Sequence, residues 1–172
     1  MSFCRRLRDR VAELHEFCRE HGYNTHVALL ADFSRHSGLR RFVVWDFSKA
    51  EALYSFVVSH GSGSERSHVR RAYARFSNQD GSHLSSLGKA LVAERYKGRY
   101  GVAYRLDGLE KSNSNLRSRD VVLHGWQYTT SLPIFPFPTV GSWGCPVLSR
   151  KAMQQVDEIL QQENRVVLWV YN

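Results

Sequence analysis

The sequence predicts a mainly β (α+β) fold: antiparallel sheets packed as a β-sandwich or partial barrel, with a helix at the N-terminus and another after Cys145. Three observations point there. Between residues 26 and 59, β-rich apolar runs recur about 14 residues apart, the rhythm of an antiparallel meander. Two stretches, 5–20 and 150–162, carry apolar residues at helical spacing. The chain has 172 residues, 42% apolar and 23% charged, which suits one domain with a real core.

Taken in order, Leu7, Val11, Leu14 and Cys18 recur at steps of four, three and four, which predicts a helix over 5–20 that stops at His21-Gly22. Residues 1–22 are expected to form a packing helix laid against one compact unit over 23–172; a basic partner-binding helix is the other reading. His26–Phe33, Arg41–Phe47 and Leu53–Ser59 are the three meander strands. His60-Gly61-Ser62-Gly63-Ser64 ends the meander, either as a plain turn or as an anion-binding loop. No Gly-Lys-Ser/Thr follows it, so it is not a nucleotide loop. Arg70–Phe76 mixes arginine with aromatics and is expected to be an exposed strand bordering a groove. Residues 77–88 are polar and turn-rich, a surface loop. Residues 89–96 suit helix or strand equally. Lys97–Gly101 is a turn, Val102–Leu106 a strand, 110–120 a loop, and Val121–Leu123 a short buried strand delivering His124. Residues 126–141 hold Pro133, Pro136 and Pro138 with Trp126, Tyr128, Phe135 and Phe137. Proline this dense forbids ladder pairing, so the segment is read as a lid or groove wall, or as a loop tucked into the core. Ser149 caps a helix over 150–162, and Arg165–Tyr171 is a closing strand.

The formal net charge of +8 favours anionic partners such as an anionic polymer. A nucleic-acid binder would rest on that charge and on Arg70–Phe76 alone, with no recognised motif, so no nucleic acid is expected. No window approaches the ~18 apolar residues of a membrane span. Three cysteines cannot all pair. Cys4 and Cys18 lie fourteen residues apart on one helix, roughly 21 Å, beyond disulfide reach. Cys145 is therefore expected to be a free thiol. A zinc site from His60, His124 and Cys145 lacks ligand spacing, so no metal is expected.

The chemistry concentrates in His124-Gly125, sixteen residues, then Ser142-Trp143-Gly144-Cys145-Pro146. A thiol nucleophile needs a histidine to take its proton and a third group to orient that histidine. Gly144 allows tight backbone geometry, and the N–H groups around Gly144 and Cys145 are candidate oxyanion donors. From the residues alone, a structural cysteine with a core histidine remains the competing account.

The arrangement resembles the signature of the L,D-transpeptidase (YkuD-type) family, in the branch of murein L,D-transpeptidase catalytic domains. Similar blocks are Ser59-His60-Gly61, Phe76-Ser77-Asn78, Ser85-Ser86-Leu87-Gly88, Tyr96 with Gly98 and Tyr100-Gly101, Arg105–Glu110, Asn113 to Asn115, Arg119 and Gly141–Pro146. Trp143 is the departure, since the general motif has a second histidine there. The resemblance implies that Cys145 attacks the carbonyl of the third residue of a peptidoglycan stem peptide and expels D-alanine. His124 would be the base, the Gly125 carbonyl would orient it, and Ser142 would support the site. An amine of another stem would take the thioester, giving a 3→3 crosslink; water would make the protein an L,D-carboxypeptidase, and a free D-amino acid an exchange enzyme. A non-catalytic wall-binding module on the same scaffold is a further alternative. Arg119 and Arg105 are candidates to meet stem carboxylates or to make structural pairs. Trp143, Trp126, Tyr128 and His60 are candidate substrate-binding residues, with His60 equally a turn residue. No cofactor is implied, carbapenems are expected to acylate Cys145, and a monomer is expected. The resemblance implies a periplasmic or extracellular place of action. Met1–Arg6 shows no apolar export segment, so a longer exported precursor or a secreted effector is expected.

Overall fold

The computed structural model describes residues 3–63 and 71–172. Ser64, at the end of the glycine-serine loop, and Arg70, at the start of the Arg70–Phe76 run, lie outside the described residues, as does the side chain of Cys4.

The uninterrupted apolar runs are explained by a sheet that is buried on both faces. In β1 (Val27–Asp32) every residue is buried. Val27, Leu29 and Ala31 face an interior cluster, while the alternating Ala28 and Leu30 face the N-terminal helix α1 (Phe3–His21). The helix meets them with the stripe predicted from its spacing: Leu7, Val11, Leu14 and Cys18 are buried against Ala28, Leu30, Val43, Trp45, Val167, Trp169 and Tyr171. The closing strand alternates likewise, Leu168 and Val170 inward, Val167, Trp169 and Tyr171 toward the helix.

The remaining strands are β2 (Phe42–Asp46), β3 (Glu51–Phe56), β4 (Gly88–Gly98), β5 (Gly101–Gly108), β6 (Val122–Trp126), β7 (Val147–Ser149) and β8 (Val167–Tyr171). They form one sheet in the order β3-β2-β1-β8-β4-β5-β6-β7. Beyond β3, the chain bridges back at Ser59 to Val147 and at Gly61 to Ser142, so the two ends of the sheet nearly meet. The molecule is thus a barrel-like, nearly closed sheet. The meander β1-β2-β3 is antiparallel as expected. Two pairings are parallel, β1 with β8 and β6 with β7. The second helix, α2 (Arg150–Leu160), starts at Ser149, whose Oγ accepts from the Ala152 N–H at 3.2 Å. Its buried side chains Ala152, Met153, Val156 and Leu160 complete the interior cluster. No helix among the described residues is long and apolar enough to cross a membrane.

Residues 89–96, which suited helix or strand, belong to the long strand β4. One expectation is corrected. The described part of the arginine-aromatic run, 71–76, is bent rather than extended and makes only the Phe76–Ser85 bridge. Its backbone instead holds residues 36–37: Ser37 donates to the carbonyls of Ala72 and Arg71. The proline-aromatic segment is irregular as expected, but it docks onto the turn after β1. Ile134 N–H donates to the Gly38 carbonyl at 2.9 Å, Thr139 N–H to Ser37 Oγ at 3.2 Å, and Phe135 meets His36 edge-on. A Cβ at Gly38 would lie 2.1 Å from the Phe137 carbonyl oxygen, so only glycine admits this docking. Its two ends, Trp126 and Gly141, line the cleft that holds Cys145, while Phe135 and Phe137 stay exposed.

Candidate active site

In β6, Val122 and His124 project to the same face, two residues apart. The strand β7 runs parallel beside it with His124 opposite Val147. Cys145 enters just before β7, and its Sγ accepts the Val122 N–H at 3.4 Å. Cys145 and His124 line one cleft of about 710 Å³. His124 Nδ1 lies 3.1 Å from the Gly125 carbonyl. A carbonyl oxygen only accepts, so Nδ1 carries the proton and Nε2 is left as the basic nitrogen. This is the orientation that a proton acceptor for a thiol requires.

The turn that presents Cys145 is bolted from three sides. Ser142 Oγ donates to the Cys145 carbonyl at 2.6 Å and accepts the Gly144 N–H at 3.3 Å. Ser142 N–H donates to the His60 carbonyl, and Ser62 N–H to the Ser142 carbonyl, both at 2.9 Å. Ser85 Oγ donates to the Gly144 carbonyl while accepting from the Gly61 N–H. Gly144 has φ +113°, and a Cβ there would sit 3.0 Å from the Leu84 carbonyl oxygen, so the turn demands glycine. Its N–H, an expected oxyanion donor, is already engaged by Ser142.

Burial pushes the Cys145 thiol above its ordinary range, and the Val122 N–H and the Arg119 charge pull the other way. Burial holds His124 below the usual imidazole range, against the bond to Gly125. Both shifts disfavour the charged forms, thiolate and imidazolium.

The other expected site residues divide. Trp126 lines the cleft, and Trp143, 76% exposed, stands at its rim with its ring stacked on His83 at 4.8 Å. Arg119 also lines it, but its guanidinium makes four bonds, to Ser77 O, Ser86 Oγ, Ser82 Oγ and Leu84 O. Both terminal nitrogens of Arg119 are thus committed to clamping the 77–86 loop. Arg105 does not line the cleft; it pairs with Asp120 at 3.2 Å and lies over Tyr96. Tyr128 also stays outside the lining, edge-on to Trp126. His60 is only 2% exposed and does not line the cleft. Its Nδ1 lies 2.6 Å from Arg41 Nη2, and burial beside that cation pulls it down to about 3. Sequence reasoning misread it because the flanking Gly61 and Ser62 look like an open turn. Tyr96 and Tyr100 stand in blocks that carry the resemblance but were given no site role, and Arg99 and His83 were not singled out; all four line the cleft, and Tyr100 stacks on His124 at 5.1 Å. Among the described residues no group of three or more His, Cys, Asp or Glu side chains is placed to hold a metal ion.

The family model of the L,D-transpeptidase catalytic domain matches residues 5–171. No curated protein matches the chain in sequence. Among solved structures, the fold is similar to the helical cell shape determining protein Pgp2 from Campylobacter jejuni, with TM-score 0.54, 11% identity and coverage of 85% of this chain and 47% of that one. It is also similar to an L,D-transpeptidase from Mycobacterium smegmatis, with TM-score 0.51, 14% identity and coverage of 86% and 59%. A third is the LD transpeptidase LdtMt1 in complex with imipenem, with TM-score 0.50, 14% identity and coverage of 85% and 59%. The chain thus spans about half the length of the structures it matches.

Proposed function

The chain belongs to the L,D-transpeptidase catalytic domain family, and on that premise we propose that it is a cysteine acyltransferase acting on peptidoglycan stem peptides. The observation that carries this reading is one cleft holding a thiol and an imidazole whose Nδ1 is tethered to Gly125, leaving Nε2 to take a proton. In the proposed cycle, Cys145 Sγ attacks the carbonyl carbon of the third stem residue as its proton passes to His124. The tetrahedral intermediate collapses to a thioester, and D-alanine leaves with the proton returned by His124. An amine of a second stem then attacks, gives its proton to His124, and expels the thiolate, which is reprotonated. The product is a 3→3 crosslink.

Gly125 orients the base through its carbonyl, and Ser142 holds the nucleophile turn by its two bonds. Arg119 supports the thiolate through charge, from a position fixed by its own bonds to the loop 77–86. Trp143 and Trp126 border the groove in which the stems would lie. The place of action follows from the substrate: the cell wall, on its periplasmic or extracellular side. A carbapenem is expected to acylate Cys145.

Mass spectrometry of purified muropeptides after incubation tests this. The expected result is release of terminal D-alanine with formation of 3→3 dimers, and loss of both by at least about 10³-fold in Cys145→Ala. Trimmed tripeptides without dimers would make water the acceptor and the enzyme an L,D-carboxypeptidase. Unchanged turnover by Cys145→Ala would sink the mechanism.

A further inference from the structure

The hairpin joining β4 to β5 is closed by the Gly98–Gly101 pair, leaving Arg99 and Tyr100 as its two tip residues. A two-residue tip commonly serves only to turn the chain. Here it reaches into the cleft. The Tyr100 ring lies over the His124 imidazole with centroids 5.1 Å apart and planes 20° or less from parallel, at 19°. Trp126 meets the same tyrosine at 6.3 Å, inclined by 67°, and the Arg99 guanidinium lies 5.6 Å from its ring centre. Tyr100 is nevertheless 45% exposed, so burial of the ring in the core does not account for its placement.

We propose that Tyr100 is a positioning residue for His124 and forms the acceptor-side wall of the cleft. The argument rests on the reading of His124 as the base. One bond, Nδ1 to the Gly125 carbonyl, fixes one edge of the imidazole but leaves the ring free to tilt about it. A ring laid against its face removes that freedom and keeps water off that face. Nε2 is then held in the plane set by Gly125 and Tyr100 together, ready for the Cys145 proton. The acceptor must also give its proton to His124, so it passes the hairpin tip to arrive. Arg99 at that tip supplies a cation for an anionic group on the arriving stem.

Two readouts, neither needing the natural substrate, test the positioning role. One is the ring-proton resonance of His124, which a stacked tyrosine shifts away from its ordinary position. The other is the rate at which iodoacetamide alkylates Cys145 at pH 7, where the buried thiol keeps its proton and attack needs the base. Tyr100→Ala is expected to return the resonance to its ordinary position and slow alkylation by roughly threefold to tenfold, the range an aromatic pair corresponds to. Tyr100→Phe restores the ring and is expected to recover both. The acceptor role adds a third readout: in Tyr100→Ala the ratio of amine product to hydrolysis product from stem peptides falls, while thermal stability stays close to that of the parent. If Tyr100→Ala leaves the His124 resonance and the alkylation rate unchanged, the proposal is overturned whatever the substrate. If both respond as expected but the parent enzyme does not act on stem peptides, the proposed substrate fails and the positioning role stands.

Discussion

Burial raises the Cys145 thiol and lowers His124, so the fold disfavours the charged form of each. The sign of the resulting pH dependence follows. A raised thiol means little thiolate at neutrality, and a depressed imidazole supplies no cation to stabilise one. Alkylation of Cys145 by iodoacetamide, followed by intact mass, should therefore keep rising with pH through the ordinary thiol range of about 8.5. A plateau reached already below pH 7 would mean a preformed thiolate–imidazolium pair and would contradict both shifts. At this scale the sequence was most readable where function is local. Gly125 beside His124, and Ser142 beside Cys145, act on their own neighbours through bonds that a short motif encodes. The ring partners of Tyr100 and His83 were illegible because each is met across the fold: His124 by Tyr100, Trp143 by His83. Arg119, expected either to meet a stem carboxylate or to make structural pairs, lines the cleft. Its bonding to the loop 77–86 depends on tertiary placement that no spacing reveals.

Between elements, the most telling residue is Arg41, at the start of β2 and fully buried. Its Nε and Nη2 both donate to the Val58 carbonyl, at 3.2 and 2.9 Å, and Nη1 donates to the Arg35 carbonyl at 3.0 Å. Nη2 also meets His60 Nδ1, and the guanidinium lies 4.6 Å from the centre of the Phe33 ring. Burial pulls its pKa down to about 9, a measure of how poorly the charge is solvated there. Through His60, whose carbonyl accepts the Ser142 N–H, this arginine ties the end of β3 to the turn that carries Cys145. A lysine cannot fork to three carbonyl and imidazole partners. Arg41→Lys should cost about 2–4 kcal/mol, a drop in Tm of roughly 5–15 °C, with slower alkylation of Cys145. Calorimetry and the alkylation rate check it; an unchanged Tm would refute the anchoring role. The eleven-residue β4 suited helix as well as strand over 89–96, while the two helices and the meander were legible in the sequence, as α1, β1 to β3 and α2 demonstrate. The three-residue β7, entered from Pro146, was not. Nor were the parallel pairings of β1 with β8 and β6 with β7, because the direction of a partner strand is a property of the whole sheet.

For the molecule as a whole, the barrel closes around titratable groups whose ionisation the fold has shifted in one direction. His60 is held neutral inside, down to about 3 from an ordinary 6.5, and His124 is also depressed. Below pH 6.5 the unfolded chain binds protons at these positions that the folded chain does not. Stability is then lost as pH falls, by up to about 1.4 kcal/mol per pH unit for each such histidine. For His60 the loss continues until about pH 3, where the folded state binds the proton too. Asp157 adds a later loss of the same sign. Paired with Arg95 at 2.7 Å and bonded by Tyr104 at 2.6 Å, its carboxyl lies below the ordinary range. That contribution is complete above the unfolded value near 3.9 and disappears as pH falls through the folded one. The expected stability profile therefore begins to decline below pH 6.5 through the histidines, and the carboxylate loss adds to it from about pH 3.9 downward. Urea unfolding at intervals between pH 7 and pH 3 measures it, with His60→Asn as the comparison. Asparagine can accept the Arg41 hydrogen bond through its carbonyl but does not titrate. The variant should show a shallower decline from pH 6.5 down to about pH 3, where the His60 loss ends, and should keep the Asp157 loss that sets in near pH 3.9. Parallel slopes for parent and variant between pH 6.5 and pH 4 would mean that His60 is not the neutral buried group, and that the charge of Arg41 is balanced in some other way.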